Sequence, residues 1–257
     1  MGHVRIGHLP KRFGWSEVVA ALGDVDRPED DALRLATVAA GKTLKAAKFR
    51  DSLAYCYWLF LQLAGASRSS DFRGALRDVG VRVPTEDSGL TLVAAMSSLA
   101  GSALQERKWI GVPDEVALQA FRSAVTDVVA EESRSLFGST FDTVQTALRR
   151  YSTEKGVSQL GRRFFHEYAY RLLARALGRE AAVHAGGDRR FTTSDDLSAF
   201  DQRLRVYCWD ISRLVEQYAG EWYSKHGWLD DVNLETTRAF TSYAIEKLLT
   251  ETVQEPN

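Results

Sequence analysis

Apolar residues recur at intervals of three and four along nearly the whole chain, which is the period of an α-helix with one buried face. Sustained alternation of apolar and polar residues, which would indicate half-buried strands, is almost absent. The pattern therefore predicts an all-α protein, a multi-helix bundle of about nine to eleven helices with no substantial sheet.

Start and stop signals divide this pattern into separate helices. The predicted helices begin near Ser16, cover about 29–47, 49–65, 70–79, 87–107 and 113–137, and continue over about 142–151 and 158–178, with a long one from Thr193 to about 223 and a last one from Asn233. We expect a single helical body over 1–257. A division into halves 1–138 and 139–257 is the alternative, because Gly138 can end a helix or begin a linker.

The composition is that of an ordinary globular protein, with 257 residues, 45% hydrophobic content and a formal net charge of −1. Such a chain can bury a core without a metal, disulfide or cofactor. Cys56 and Cys208 each lie in an aromatic run and are expected to be buried, which favours a reducing, cytoplasmic location. The longest apolar stretch, 53–66, is shorter than the roughly 20 residues that span a bilayer, and the first residues lack the apolar core of a signal peptide, so we expect no membrane association.

Charge is segregated in the last third of the chain. Residues 149–190 contain ten Arg or Lys and four acidic residues, whereas residues 191–257 have an acidic excess. Arg171, Arg175 and Arg179 share one helix face and form what we call the arginine ridge. The ridge can bind phosphates or acidic helices of its own chain, and we favour an intramolecular or protein–protein role over nucleic acid. The other candidate binding residues of this basic segment are Arg162, Arg163, Arg189 and Arg190.

An aromatic segment follows the basic one and contributes Trp222, Tyr223, Lys225 and Trp228 as further candidate partner-binding residues. The helical spacing of Tyr218 and Trp222 also fits core packing. Trp228 follows Gly227 in a predicted loop and is the aromatic side chain that we expect to be exposed.

Four stretches, at 135–138, 163–165, 190–191 and 219–225, resemble an uncharacterised family of bacterial all-helical proteins. The resemblance implies no catalytic residues. It implies a setting in multi-gene cassettes of the anti-phage or mobile-element kind.

Residues 36–43 resemble a phosphate-binding loop that ends in Lys42 and Thr43, with Ala36 in place of the usual first glycine. Such a loop must follow a strand, but the residues before it predict a helix. We interpret the match as coincidence.

Arg179 and His184 have the spacing of the motif in HEPN ribonucleases, which are helical bundles often active as dimers. The resemblance implies that His184 handles protons at a 2′-hydroxyl while Arg179 stabilises a developing phosphorane. Glu180 departs from that motif, which usually has a polar residue other than Glu after the arginine.

Metal ligation is not indicated. His166, Glu167, His184 and His226 do not have the spacing of a metal site. The acidic pairs 195–196 and 230–231 could hold a divalent ion, but each precedes a predicted helix, where acids cap backbone amides.

The hypothesis favoured by these observations is a non-enzymatic helical subunit or adaptor of a larger bacterial assembly, such as an anti-phage defence complex. It would bind a protein partner through a basic-aromatic C-terminal surface. The alternatives are a HEPN-like ribonuclease and a nucleic-acid-binding module without catalysis.

Overall fold

A computed structural model describes residues 14–46, 50–133, 138–183, 191–228 and 231–250, and these residues form helices and no β-strand. The all-α prediction is confirmed. The helices are Trp15–Gly23 (α1), Glu29–Ala46 (α2), Arg50–Ala66 (α3), Phe72–Val79 (α4), Gly89–Glu106 (α5), Val112–Ser133 (α6), Phe141–Arg150 (α7), Glu154–Val183 (α8), Ser194–Ile211 (α9), Arg213–Trp228 (α10) and Leu234–Thr250 (α11).

Local side-chain hydrogen bonds explain where several helices begin. The Thr193 hydroxyl accepts from the Asp196 amide and the Asp196 carboxylate accepts from the Thr193 amide, a reciprocal cap that confirms the predicted start of α9. The predicted cap at Ser16 is wrong. The first residue of α1 is Trp15, and Gly14 precedes it with φ 87°, a conformation that costs glycine little.

Helix α8 is longer than its apolar pattern predicted. It begins at Glu154 instead of Ser158, because the Thr153 hydroxyl accepts from the Gly156 amide and caps the first turn. It also continues past Gly178 to Val183. At about 1.5 Å per residue, its 30 residues extend for about 45 Å.

The single helix predicted from Thr193 to about residue 223 is interrupted at Ser212, which separates α9 from α10. The Ser212 hydroxyl donates to the Cys208 carbonyl at 2.7 Å, a bond that competes with regular helix geometry. At the same end of α9, the Arg162 guanidinium donates to the Trp209 carbonyl. Since cations bind favourably at helix C-termini, Arg162 stabilises the interruption.

The buried apolar side chains form two clusters. The large cluster joins α3–α7, the first half of α8, α10 and α11, and the small cluster joins α1, α2, the second half of α8, and α9. Both clusters combine residues from before and after position 138, and the alternative division at that point stays a prediction.

Two glycines allow α8 and α10 to approach each other closely. A Cβ at Gly220 of α10 would lie 2.6 Å from the Glu154 carbonyl oxygen, and one at Gly161 of α8 would lie 3.1 Å from the Ala219 side chain. The close approach fixes the position of α10 against the first half of α8. Within the described ranges, no helix is both long and apolar enough to cross a membrane.

Candidate interaction surface

Four of the candidate arginines of the basic segment form ion pairs with carboxylates of their own chain. Three of the four bind across to another helix, and Arg171 binds within α8 and also donates to the Ser123 hydroxyl of α6. The pairs are Arg162 with Glu216 (2.8 Å), Arg163 with Glu131 (2.6 Å), Arg171 with Glu167 (3.1 Å) and Arg175 with Glu115 (2.8 Å). These contacts are intramolecular, and the partner-binding or nucleic-acid-binding role of the four arginines stays a prediction.

Several candidate residues fall outside the part of the chain whose side chains the structure describes. Arg179 and Trp228 belong to α8 and α10 by their backbones, and His184, Arg189 and Arg190 lie outside the described residues. The backbone of Trp228 ends α10, so the loop predicted for it is wrong. The ribonuclease assignment to Arg179 and His184 stays a prediction.

The aromatic segment divides between the core and the surface. Trp222 stacks on Phe240 with ring centroids 4.5 Å apart, which is core packing. Lys225 is exposed, and Tyr223 is partly buried at the edge of a cleft between α3, α4 and α10.

Two apolar side chains are exposed on α9, and arginines flank them. Val206 is 52% exposed and Trp209 is 37% exposed. The Arg162 guanidinium lies 4.1 Å from the centre of the Trp209 ring, and the Arg205 guanidinium lies 4.0 Å from that of Tyr170. We call these five residues the α8/α9 surface. Each arginine is held over an aromatic ring, which is a favourable cation–π arrangement.

Of this surface, the sequence identified Arg162 as a candidate and missed Tyr170, Arg205 and Val206. The sequence signal that could have identified Val206 is its position in the helical repeat of α9. Phe200, Leu204 and Cys208 recur every four residues on the buried face of α9, and Val206 falls between them on the opposite face. An apolar residue opposite the buried stripe indicates a contact that the core does not provide.

His166 lies beneath the surface, 8% exposed, with its ring edge-on to Trp209 at a centroid distance of 5.3 Å. Burial lowers the pKa of His166, the Glu167 carboxylate opposes that shift, and Arg205 adds to it. The buried ring therefore favours its neutral form.

Glu167 is 7% exposed and is the carboxylate at the centre of this polar cluster. Its oxygens lie 3.1 Å from Arg171 Nε, 3.7 Å from an Arg205 terminal nitrogen and 3.7 Å from His166 Nε2. A buried carboxylate is expensive unless it is paired, and two arginines pair with this one. Glu167 thus holds Arg171 of α8 and Arg205 of α9 in fixed positions.

Asp127 of α6 has a raised pKa, chiefly because it is half-buried and secondly because the Glu167 carboxylate is close. Arg163 and Arg171 oppose this shift. The cluster combines carboxylates, arginines and one histidine, and Arg171 also donates to the Ser123 hydroxyl. These contacts order the side chains of α6, α8 and α9 against one another.

The remaining sequence motifs have structural roles where they are described. Residues 36–43 lie inside α2, so the phosphate-loop match is a coincidence, as predicted. Hydrogen bonds from Thr192 and Thr193 lower the pKa of Asp196, which confirms capping for this acid. Asp230 lies outside the described residues. Asp231 accepts from the Asn233 side-chain amide.

Within the described ranges, no three His, Cys, Asp or Glu side chains are placed to hold a metal ion. Cys56 and Cys208 are both 0% exposed, which confirms their predicted burial, and burial raises the pKa of each thiol. Neither cysteine has the exposed, electropositive surroundings of a reactive thiol.

No protein-family model, curated protein or solved structure matches this chain.

Proposed function

We propose that this protein is a non-enzymatic helical subunit that binds a protein partner through the α8/α9 surface. The observation that carries the proposal is the exposure of Val206 and Trp209 on α9, next to the Arg162 guanidinium over the Trp209 ring and the Arg205 guanidinium over the Tyr170 ring. Tryptophan and arginine are the residues most enriched at the energetic centres of protein interfaces. The assembly that we expect is a cytoplasmic bacterial one, of the anti-phage kind implied by the resemblance.

Pre-organisation supports a binding role for these arginines. An arginine side chain loses considerable rotamer freedom when a partner immobilises it. Arg162 is already fixed by Glu216, the Trp209 carbonyl and the Trp209 ring, and Arg205 by Glu167 and Tyr170. A partner that contacts them therefore has less ordering entropy to overcome.

Charge favours a protein partner over a nucleic acid. Phosphate binding gains its affinity from cations that replace condensed counterions. Here Arg162, Arg163, Arg171 and Arg175 already have carboxylate partners. Asp201 and Asp210 are exposed on the same helix as Val206 and would repel a phosphate backbone.

The test is purification of the tagged protein from its native host, with mass spectrometry of co-eluting proteins and a parallel nuclease-treated sample. Val206→Asp places a carboxylate at the exposed apolar position of α9, and Val25→Asp is the matched control because Val25 is 59% exposed in the α1–α2 loop. We expect a stoichiometric partner that survives nuclease. Val25→Asp should retain it, and Val206→Asp should weaken its binding by about thirtyfold, equivalent to about 2 kcal/mol.

Retention of the same partner by Val206→Asp at wild-type affinity would contradict the proposal. Co-purification of RNA or DNA that disappears with nuclease, with no stoichiometric protein, would favour the nucleic-acid alternative. Circular dichroism of both variants verifies that the helical fold is intact.

A further inference from the structure

One oxygen of the buried Glu167 carboxylate faces both a histidine and an arginine. Glu167 Oε1 lies 3.7 Å from His166 Nε2 and 3.7 Å from a terminal nitrogen of Arg205, whereas Oε2 lies 3.1 Å from Arg171 Nε. While the imidazole is neutral, Arg205 is the cation at Oε1. A second proton on the His166 ring would place a competing cation at the same oxygen.

Of the two arginines that pair with Glu167, Arg205 is held more weakly. Its distance of 3.7 Å is longer than a hydrogen bond, whereas Arg171 donates to Glu167 at 3.1 Å and also to the Ser123 hydroxyl of α6. The Arg205 side chain is 45% exposed, so solvent weakens its attraction to the carboxylate. Arg205 is therefore the partner that a competing cation displaces.

The charges around His166 lead to the same conclusion. A protonated ring is attracted by Glu167 and repelled by Arg162 and Arg205. Arg162 is anchored at 2.8 Å to Glu216 of α10 and also donates to a carbonyl of α9. Repulsion by the ring therefore moves Arg205 more easily than Arg162.

On the side of α6, Asp127 is close to Glu167 and has a raised pKa, partly because of that carboxylate. Asp127 thus adds negative charge on the side of Glu167 where Arg171 lies, and its influence on Arg171 is attractive. These contacts keep Arg171 in place when the charge at Oε1 changes.

Asp201 offers Arg205 a second carboxylate. Asp201 precedes Arg205 by four residues on α9, a spacing at which opposite charges on a helix attract each other. The Tyr170 hydroxyl donates to the Asp201 carboxylate at 2.8 Å, and the Arg205 guanidinium lies 4.0 Å from the centre of the Tyr170 ring. Arg205 can therefore turn from Glu167 toward Asp201 while it stays beside Tyr170.

We propose that a proton on His166 displaces Arg205 from Glu167 and thereby makes the α8/α9 surface sensitive to pH. The proton comes from solvent, the imidazolium becomes the cation at Glu167 Oε1, and Arg205 turns toward Asp201 and water. The consequence for binding rests on the proposed function, because a partner would then meet an arginine that is no longer ordered in advance. The displacement itself requires no partner.

The test is NMR spectroscopy of the full chain between about pH 7.5 and 5, which follows the histidine ring C–H groups and the arginine Nε–H groups. Burial lowers the pKa of His166, so its ring should titrate below pH 6.5. The Arg205 signal is identified by its loss in Arg205→Lys. We expect it to shift with the same midpoint as the His166 ring, while the signal of Arg175, which pairs with Glu115, stays in place.

Variants that cannot titrate assign the shift to His166. In His166→Phe and in His166→Gln, which keeps a polar side chain, the Arg205 signal should not move with pH. His226→Phe is the matched control, because His226 of α10 faces Asp231 instead of Glu167, and the shift should persist in it. Circular dichroism over the same pH range verifies that the helices are intact.

The consequence for binding is measured separately, with the stoichiometric partner from the purification described above. Its affinity should fall by about tenfold more on acidification for the wild type than for His166→Phe. Absence of such a partner would contradict the proposed function, whereas the Arg205 shift would still be measured. The displacement is overturned by an Arg205 signal that stays in place while His166 titrates, by an equal shift in His166→Phe, or by unfolding before His166 takes up its proton.

Discussion

His166 shows how one side chain couples the chemistry of the interior to the exposed surface. Its ring contacts Trp209, whose other neighbour is the Arg162 guanidinium, and its Nε2 approaches the buried Glu167 carboxylate. A charge on this ring would be poorly solvated and would face Arg162 and Arg205. The α8/α9 surface therefore rests on a neutral imidazole.

This burial predicts a specific pH dependence of stability. The folded-state pKa of His166 lies below its ordinary value of 6.5, whereas the unfolded chain has about the ordinary value. Above that pH both states are neutral at this position and stability is unaffected by it. Below pH 6.5 the unfolded state binds the proton before the folded state does, so the free energy of unfolding decreases as the pH decreases.

We expect His166→Phe, which keeps an aromatic ring but cannot titrate, to lose less stability than the wild type between neutral pH and about pH 5.5. Urea denaturation of both proteins at the two pH values measures this difference. An equal loss in the two proteins would show that His166 does not contribute to the acid sensitivity.

At the scale of helices, α8 and α10 can pack closely because Gly161 and Gly220 have no side chain. A Cβ at Gly220 would meet the Glu154 backbone and one at Gly161 would meet the Ala219 side chain, whereas Gly178, further along α8, is exposed and has no atom near the position of its absent Cβ. Glycine is therefore needed for close packing at positions 161 and 220 but not at position 178.

Gly220→Ala should destabilise the fold by about 1–3 kcal/mol, because its Cβ would overlap the Glu154 carbonyl oxygen and force the helices apart. Gly178→Ala is the control and should stabilise the fold by about 0.5–1 kcal/mol through helix propensity alone. Chemical denaturation of both variants distinguishes the two effects. A higher free energy of unfolding for Gly220→Ala than for the wild type would show that close packing does not require glycine at this position.

Helix existence followed from the sequence because the 3.6-residue period and the caps are local signals, as at Thr193 and Asp196. The interruption at Ser212 could not be predicted in this way, since it depends on the contact between Arg162 and the Trp209 carbonyl, which are 47 residues apart in sequence. The carboxylate partners of Arg163 and Arg175 lie 32 and 60 residues away in sequence. Spacing placed the arginines on a helix face but could not supply those partners.

At the scale of the whole molecule, α8 is the element shared by the two apolar clusters. Phe164 and Phe165 in its first half belong to the large cluster, and Leu173 and Leu177 in its second half belong to the small one. Leu172 packs against both. The small cluster holds α1, α2 and α9 together, and it joins the rest of the core mainly through α8, with a further contact between α2 and α11.

We therefore expect Leu177→Ala, which empties a fully buried site in the small cluster, to cost about 2–5 kcal/mol and to expose α1, α2 and α9 to amide hydrogen exchange before α3. Leu160→Ala, at an equally buried site in the large cluster, is the control and should lower protection in α3 and α6. Mass spectrometry of exchanged peptides measures both. The same loss of protection throughout the chain in both variants would show that the two clusters open as one unit.

The junction at Ser212 has a further consequence for how this protein tolerates change in length. A single buried residue joins α9 to α10, so neither helix can absorb an added or deleted residue in a loop. One extra codon there would turn α9 by about 100° relative to α10 and carry Trp209 away from Arg162. In-frame insertions and deletions should consequently be excluded from this junction, whereas the exposed turn at 24–26 between α1 and α2 can accept them.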